Sequence, residues 1–250
     1  MSATKALLVG EAWQTLEFHI KGFDFFGNSS YHEAIEPLQR ALESNDIEND
    51  YIPTTRAASE FPSSPERIAE YDVVVLSDIG YNTIAIPPST FTDFERIPNR
   101  LELLDDFVRA GGGLLMVGGY LSFQGINAKA RYKGTAVEEA LPVTMQTYDD
   151  RVERSDGVTP VVADYDHPVV DGLPGEWPAL LGYNRVTTDE DADELVRVGS
   201  DPLVVVGEHG DGRSGAFTSD CAPHWGAPGF VEWSEYDAFW SDLVSWLGGE

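Results

Sequence analysis

Most of the side chains that could do chemistry in this sequence lie in one short segment, residues 218–226 (TSDCAPHWG). Asp220, the only cysteine Cys221, His224 and Trp225 fall within six residues. A cysteine attacks as a thiolate, and a nearby imidazolium lowers the pKa of the thiol. Three interpretations follow: Cys221 is a nucleophile with His224 as its base, the segment lines a pocket without covalent chemistry, or Cys221 is a buried structural thiol.

A second candidate segment is residues 114–125 (LLMVGGYLSFQG), an apolar strand that ends in two glycines. Ligands of open parallel sheets bind beyond the carboxyl ends of the strands. A nucleophile elbow needs a small residue two positions before the nucleophile. Gly118 meets this requirement, which places Tyr120 at the elbow. We therefore expect Gly119, Tyr120 and Ser122 to line a pocket, and a wall without a catalytic role is the simpler interpretation.

Glu11 follows the apolar run 5–10 (KALLVG) and so occupies a third strand end, where pocket carboxylates occur. No predicted strand leads through GxGxxG into a helix, because the one match, residues 210–215, lies in a turn before a strand, and GxxxxGK[ST] is absent. We therefore predict no dinucleotide or nucleotide cofactor. The five histidines form no HxH or HExxH pair, and no metal site is predicted from spacing. A metal site assembled from distant loops stays open. His167, in the loop 164–174, is interpreted as a structural turn residue, with a pocket role as the alternative.

The charge balance bears on the partners and the environment of the protein. Asp and Glu number 43 against 16 Lys and Arg, for a formal net charge of −27 over 250 residues, and the acids are spread along the chain. Without a basic stripe to neutralise phosphates, nucleic-acid binding is disfavoured. In molar salt the Debye length is about 3 Å, which screens such self-repulsion. We expect a protein of a high-salt organism.

The single cysteine rules out an intramolecular disulfide framework. Residues 1–4 (MSAT) lead into a strand without the layout of a signal peptide. No apolar run approaches the roughly 20 residues that span a bilayer. We therefore expect a soluble, cytoplasmic protein that does not interact with membranes.

The first half of the chain alternates strands and helices. Strands are predicted at 5–10, 51–55, 71–77 and 114–117, with helices over 31–44, around 67–70 and over 101–110. Pro37 is expected to mark the start of the first helix, and residues 11–30 are expected to form a loop. Continuous apolar strands in β-α-β order predict a parallel sheet covered by helices on both faces.

The second half is predicted to add an antiparallel hairpin and a closing helix. The hairpin strands are expected at 203–207 and 213–218, with a further strand at 195–198. The helix is expected over 236–247, with Phe239, Leu243 and Trp246 directed inward. Trp233, Trp240 and Trp246 form a series that either packs in the core, the favoured interpretation, or covers a homo-oligomer interface. We expect one domain over residues 1–250.

Several of these segments together resemble the class I glutamine amidotransferase-like superfamily, with ThuA-like relatives. The resemblance rests on KALLVGE, YDVVVLSDIG, LLDDFVRAGGGLLMVGGYLSFQG, DHPVVDGLP and GAFTSDCAPHWG, in that order. It implies a flavodoxin-like three-layer α/β/α sandwich with a mainly parallel sheet, to which the hairpin is added. In active members of the superfamily a cysteine stands at the elbow and a His-x-Glu pair follows a later strand. Here the elbow position is Tyr120.

The resemblance therefore predicts an amidotransferase-like domain without the Cys-His-Glu glutaminase triad. Its pocket is expected to bind a small polar ligand, lined by Glu11, Gly119, Tyr120, Ser122, Asp220, Cys221, His224 and Trp225. Two alternatives remain open at this point. One is a hydrolase or transferase with Cys221 as a relocated nucleophile and His224 as its base. The other is a non-catalytic assembly or regulatory module.

Overall fold

The computed structural model describes residues 4–249, so the part of the N-terminal prediction that concerns residues 1–3 lies outside it. The strands in this range are β1 (Lys5–Gly10), β2 (Ala12–Lys21), β3 (Asp24–Glu33), β4 (Glu48–Pro53), β5 (Val73–Ser77), β6 (Gly113–Val117), β7 (Val143–Met145), β8 (Arg151–Val158), β9 (Val161–Val162), β10 (Leu180–Asn184), β11 (Val186–Thr188), β12 (Asp193–Val198), β13 (Asp201–His209) and β14 (Gly212–Phe217). The helices are α1 (Glu36–Glu43), α2 (Thr54–Glu60), α3 (Pro65–Ile68), α4 (Tyr81–Ala85), α5 (Ser89–Thr92), α6 (Arg100–Arg109), α7 (Ala136–Ala140), α8 (Pro228–Val231) and α9 (Tyr236–Leu247).

One eight-stranded sheet organises the chain, in the order β4-β1-β5-β6-β14-β13-β12-β9. The first five strands of this order are parallel, and β13, β12 and β9 are joined by antiparallel pairings. The parallel part has the 2-1-3-4-5 order of flavodoxin-like folds. The predicted flavodoxin-like architecture and the added β13–β14 hairpin are therefore confirmed.

Helices cover both faces of the sheet because alternate strand residues point to opposite sides. On one face Leu8, Val75 and Val117 pack in a core with α1 and α9. On the other face Val74 and Met116 belong to a second core that includes α2 and α6. Strands that are apolar on both faces need this double covering, which explains their continuous hydrophobic runs.

The segment after β1 does not form the predicted loop. It forms the hairpin β2–β3, a two-stranded sheet separate from the main one. The loop prediction was wrong because it gave weight to the polar residues of this segment and overlooked their alternation with apolar ones. Residues 16–21 (LEFHIK) alternate in this way, which is the period of a strand.

The first and last helices also refine the prediction. Helix α1 begins at Glu36 with Pro37 in its first turn, as the proline indicated, while Tyr31 belongs to β3. Helix α9 has the predicted bounds, but its most buried tryptophan is Trp240, and Trp246 is only partly buried. A 12-residue helix packed against a sheet keeps only one face fully covered, and Trp246 lies at the edge of that face.

The tryptophan series packs within the chain. Trp240 is fully buried against Phe217, with ring centroids 4.9 Å apart. Trp233 packs against Trp177 at 5.2 Å, and Trp246 meets His167 edge to face at 5.0 Å. These contacts support the core interpretation of the series. Over the described residues, no helix is long and apolar enough to cross a membrane.

Candidate functional site

The carboxyl ends of four parallel strands meet at one edge of the sheet. Glu11 follows β1, Asp78 follows β5, Gly118 follows β6, and Asp220 comes three residues after β14. The chain winds from β1 to β4 on one side and to β5 on the other, so this edge contains the topological switch point where such folds bind ligands.

A cavity of about 510 Å³ opens at this edge. Its lining residues are Glu11, Trp13, Asp78, Tyr120, Leu121, Ile126, Lys129, Asp220 and His224. The volume is within the range of small-molecule sites.

Glu11 is held by the end of β5. Its backbone N–H donates to the carbonyl of Ser77 (2.9 Å), and the Ser77 hydroxyl donates to Glu11 Oε2 (2.5 Å). Glu11 has a positive φ of 46°, and only 2% of it is exposed. The preceding Gly10 has φ +116°, and a Cβ there would lie 1.8 Å from the Ser77 carbonyl oxygen. Glycine at position 10 thus permits the close approach that directs Glu11 into the cavity.

Asp78 anchors the loop that follows β6. Its Oδ1 accepts from the Leu121 N–H (2.6 Å), and its own N–H donates to Ser122 Oγ (3.1 Å). The Ser122 hydroxyl donates in turn to the Val117 carbonyl (2.5 Å). Ser122 therefore ties two strand ends together behind the cavity and is not among its lining residues.

A buried polar network supports the glycines at the end of β6. The Gly119 N–H donates to Asn184 Oδ1 (2.9 Å), and Asn184 Nδ2 donates to Asp150 Oδ1 (2.8 Å). Asp150 also accepts from the N–H groups of Gln124 and Gly125, each at 2.9 Å. Gly119 belongs to this supporting layer rather than to the cavity surface.

Tyr120, at the elbow position, forms an aromatic wall with the segment after β14. Its hydroxyl donates to Glu153 Oε1 (2.9 Å), and Trp225 Nε1 donates to the same oxygen (3.2 Å). The ring of Tyr120 meets that of His224 at 4.5 Å, and Arg151 lies 4.8 Å from the Tyr120 centroid. Trp225 is almost fully buried behind this wall.

Asp220 and His224 face each other across the turn after β14. Asp220 Oδ1 accepts from the Ala222 N–H (3.0 Å), and Asp220 Oδ2 lies 3.6 Å from His224 Nδ1. The turn itself is anchored by Ser219, whose hydroxyl donates to the Gly182 carbonyl (2.7 Å). The buried carboxylate thus orients the half-exposed imidazole at the mouth of the cavity.

Cys221 is not among the lining residues of the cavity, although its thiol lies next to the carboxyl groups of Glu11 and Asp220. It is fully buried, and its Sγ lies 3.7 Å from Ser77 Oγ and 3.9 Å from Glu11 Oε2. Burial raises the pKa of the Cys221 thiol well above its usual range, and the nearby carboxyls of Glu11 and Asp220 raise it further. These surroundings favour the neutral thiol over the thiolate.

The three carboxyls of the cavity have raised pKa values. Burial raises the pKa of Glu11 well above its usual range, and the charges of Asp220 and Asp78 add to the shift. Burial likewise raises the pKa of Asp220 well above normal, followed by the charge of Asp78. The pKa of Asp78 is raised by burial, although the N–H of Leu121 partly offsets the effect. The cavity floor therefore favours bound protons or a bound positive group.

Glu11, Asp220 and Cys221 are also the residues in the described range that could hold a metal ion, since one ligand atom from each lies within 4.8 Å of the others. The three come from two distant parts of the chain, which spacing in the sequence does not show. A metal-binding cysteine is a thiolate, so a metal held by this set would release the proton of Cys221.

Four of the eight predicted site residues line the cavity, namely Glu11, Tyr120, Asp220 and His224. Gly119, Ser122, Cys221 and Trp225 lie in the layer that supports them. The sequence analysis missed Trp13, Asp78, Leu121, Ile126 and Lys129. The strand-end argument that identified Glu11 applies equally to Asp78, whereas no sequence signal marks the other four.

Comparison with known proteins identifies the family. A family profile described as "Putative glutamine amidotransferase" matches residues 5–249. The chain belongs to this glutamine amidotransferase-like family. Comparison with the curated proteins gave no match.

Two solved structures from Salmonella typhimurium are similar to this glutamine amidotransferase-like chain. "Cytoplasmic Protein STM1381" from strain LT2 is 43% identical with a TM-score of 0.94, over 98% of this chain and 99% of that one. "Cytoplasmic Protein STM3548" is 41% identical with a TM-score of 0.93, over 97% and 98%. A ThuA-like protein from Parabacteroides merdae is 16% identical with a TM-score of 0.56, over 99% and 90%, and shares the fold alone.

Proposed function

We propose that this chain is a single-domain, cytoplasmic glutamine amidotransferase-like protein that lacks the glutaminase triad and binds a small polar ligand in its cavity. The observation that carries the proposal is the elbow after β6. It presents Tyr120, whose hydroxyl is engaged by Glu153, while the only cysteine lies after another strand and is buried.

The lining of the cavity indicates the chemistry of the ligand. Glu11, Asp78 and Asp220 offer carboxylate oxygens as acceptors, so the ligand is expected to carry several hydrogen-bond donors, such as hydroxyl or ammonium groups. Trp13 and Tyr120 supply flat apolar surfaces that suit a carbon skeleton between those donors.

The alternative with Cys221 as nucleophile has less support. The thiol does not line the cavity, and its pKa is raised, so both access and activation are unfavourable. His224 lies beside Asp220 and Tyr120, on the cavity side of the turn. This arrangement suits contact with a ligand more than proton abstraction from a buried thiol.

Ammonia release from glutamine tests the missing triad. We expect no hydrolysis above the rate in buffer for the wild-type protein, and no difference for Cys221→Ala. Glutamine hydrolysis that disappears in Cys221→Ala would overturn the proposal and establish the relocated nucleophile.

Ligand-induced thermal shifts test the cavity. In a panel of polyols, amines and amino acids, we expect a compound that raises the melting temperature of the wild-type protein. Asp220→Asn should reduce its affinity at least tenfold, because one buried acceptor oxygen is replaced by an NH2 donor and the negative charge is removed. Glu190→Gln, at an exposed position that is not among the lining residues, is the matched control and should bind like wild type. Equal binding by Asp220→Asn would place the ligand elsewhere.

A further inference from the structure

The β2–β3 hairpin exposes a concentration of large apolar side chains. Thirteen large apolar side chains are exposed in the described range, and eight of them belong to the hairpin or its turn. These eight are Trp13, Leu16, Phe18, Ile20, Phe23, Phe25, Phe26 and Tyr31. Of the other five, Phe91 and Phe94 are three positions apart and the rest are single, whereas a larger contiguous apolar surface marks an interaction site.

The register of the hairpin gathers most of these side chains on one face. Directly paired residues share a face, and the pairs Leu16–Ser29, Phe18–Gly27 and Ile20–Phe25 alternate with pairs that face the other way. We call the side that carries Leu16, Phe18, Ile20, Phe25 and Tyr31 the apolar face. Along residues 14–20 and 25–31 it contains no Asp, Glu, Lys, Arg or His.

The opposite face of the hairpin is polar. Glu17, His19 and Lys21 point to this side, together with Asp24. Phe26 is on this side as well, but it stacks on His19 with centroids 4.6 Å apart. The two faces therefore differ as the inner and outer faces of a packed sheet differ.

The rest of the chain leaves the apolar face open. Strand β3 is exposed along its whole length, and β2 is exposed from Trp13 onward except for the partly covered Thr15. A two-stranded hairpin without further packing is only marginally stable in water. A ribbon of two ten-residue strands whose one face is uncharged and largely apolar over residues 14–20 and 25–31 is therefore expected to be covered in the assembled protein.

We propose that the apolar face of the β2–β3 hairpin packs against the same face of a second copy of this chain, as a two-fold symmetric dimer. In such an interface the two partners present the same surface to each other. The apolar face is the described surface richest in exposed apolar side chains, so the apolar face of a second copy is its best apolar match.

Area and charge both favour a second copy. With side chains of about 150–250 Å² each, the exposed fractions of the apolar face and of the turn residue Phe23 amount to roughly 800 Å². A standard interface buries about 800 Å² per partner. The chain carries a net charge of −27, and contact through an uncharged face allows two such chains to meet with their acids directed elsewhere.

Sedimentation velocity in 1 M KCl over a hundredfold range of concentration tests the dimer. We expect dimers for the wild-type protein and at least a hundredfold weaker association for Phe18→Glu. Phe91→Glu is the matched control, because Phe91 and Phe18 are both 71% exposed and Phe91 lies outside the hairpin. Monomers at every concentration, or equal dissociation of both variants, would overturn the proposal.

Cysteine cross-linking gives a second readout that does not depend on weakening the interface. Cys221 is buried, so a cysteine introduced into the hairpin is the accessible thiol. Under mild oxidation, at least one of Leu16→Cys, Phe18→Cys and Ile20→Cys should form a covalent dimer, while Glu17→Cys and His19→Cys should not. Equal cross-linking on both faces would contradict face-to-face packing.

Wild-type protein that stays monomeric and binds phosphatidylcholine vesicles through Phe18 would replace the second copy by a lipid surface.

Discussion

At the scale of single residues, Glu11 connects the features of the candidate site. Its carboxylate accepts from Ser77, lies 3.9 Å from the Cys221 thiol, and shares the cavity floor with Asp220 and Asp78. Crowded carboxyls resist ionising together, and the charges of Asp220 and Asp78 add to the burial that raises the pKa of Glu11. Three of the many acidic side chains of this chain are buried together at the cavity. Such burial suits a site that binds protons or a positively charged group.

The raised pKa values predict a pH dependence of stability. Between the unfolded and the folded pKa of Glu11 the folded protein binds more protons, so the free energy of unfolding falls as pH rises, by up to about 1.4 kcal/mol per pH unit for each proton. The stabilisation is complete below the unfolded pKa and is lost upward through the folded one. Glu11→Gln should flatten this slope above the ordinary pKa of a glutamate carboxyl in urea unfolding, while Glu190→Gln should leave it unchanged. An unchanged slope in Glu11→Gln would show that Glu11 ionises normally.

At the scale of elements, the site depends on how closely β1 and β5 approach each other where they end. Gly10 meets Ser77 at a distance that a side chain would prevent, and Glu11 takes a positive φ immediately afterwards. The same turn then leads into β2, so the start of the hairpin is set by the geometry of the site. Trp13, near the base of the hairpin, is correspondingly a wall of the cavity.

A pair of glycine variants separates close approach from backbone strain. Gly10→Ala should lower the free energy of unfolding by more than about 2 kcal/mol, because a strained φ is combined with a steric overlap. Gly22→Ala also has a positive φ, of 66°, but no atom lies within 4 Å of its Cβ, so it should cost only about 1 kcal/mol. Denaturant unfolding measures both. Equal losses would mean that the contact with Ser77 relaxes freely.

At the scale of the whole molecule, charge and assembly act together. A net charge of −27 opposes the compact state and the meeting of two chains, and both effects weaken as salt shortens the Debye length. The adaptation to high salt that the composition predicts would therefore favour folding and dimer formation under the same conditions.

Thermal unfolding in KCl tests this prediction. The melting temperature should rise between 0.05 M and 2 M KCl, with most of the change below about 1 M, where the Debye length has fallen to about 3 Å. Sucrose stabilises proteins without screening charge, so it serves as the control and should not reproduce the steep initial rise. A melting temperature that does not depend on KCl would contradict the prediction of salt adaptation.

Seven of the eight strands of the main sheet were predicted from the sequence because each follows from local patterning, whereas β9 and helix α2 were not predicted. Apolar runs such as residues 73–77 predict buried strands, and α9 was predicted with its observed bounds. The hairpin at residues 12–33 was missed, although its alternation was visible. The loop prediction gave more weight to the polar residues of this segment than to that alternation.

The candidate site, too, was predicted in part from the sequence and decided in part by the tertiary structure. The types and strand-end positions of Glu11, Tyr120, Asp220 and His224 indicated a pocket from the sequence alone, because parallel strands bring their carboxyl ends to one edge. Which side chains face the cavity was decided only by the tertiary structure. Cys221 is next to Asp220 in the chain, yet the Asp220 carboxylate lines the cavity and the buried Cys221 thiol does not. The sequence determines which side chains lie at the carboxyl edge of the sheet. The direction in which they point and their protonation depend on packing between segments far apart in the chain.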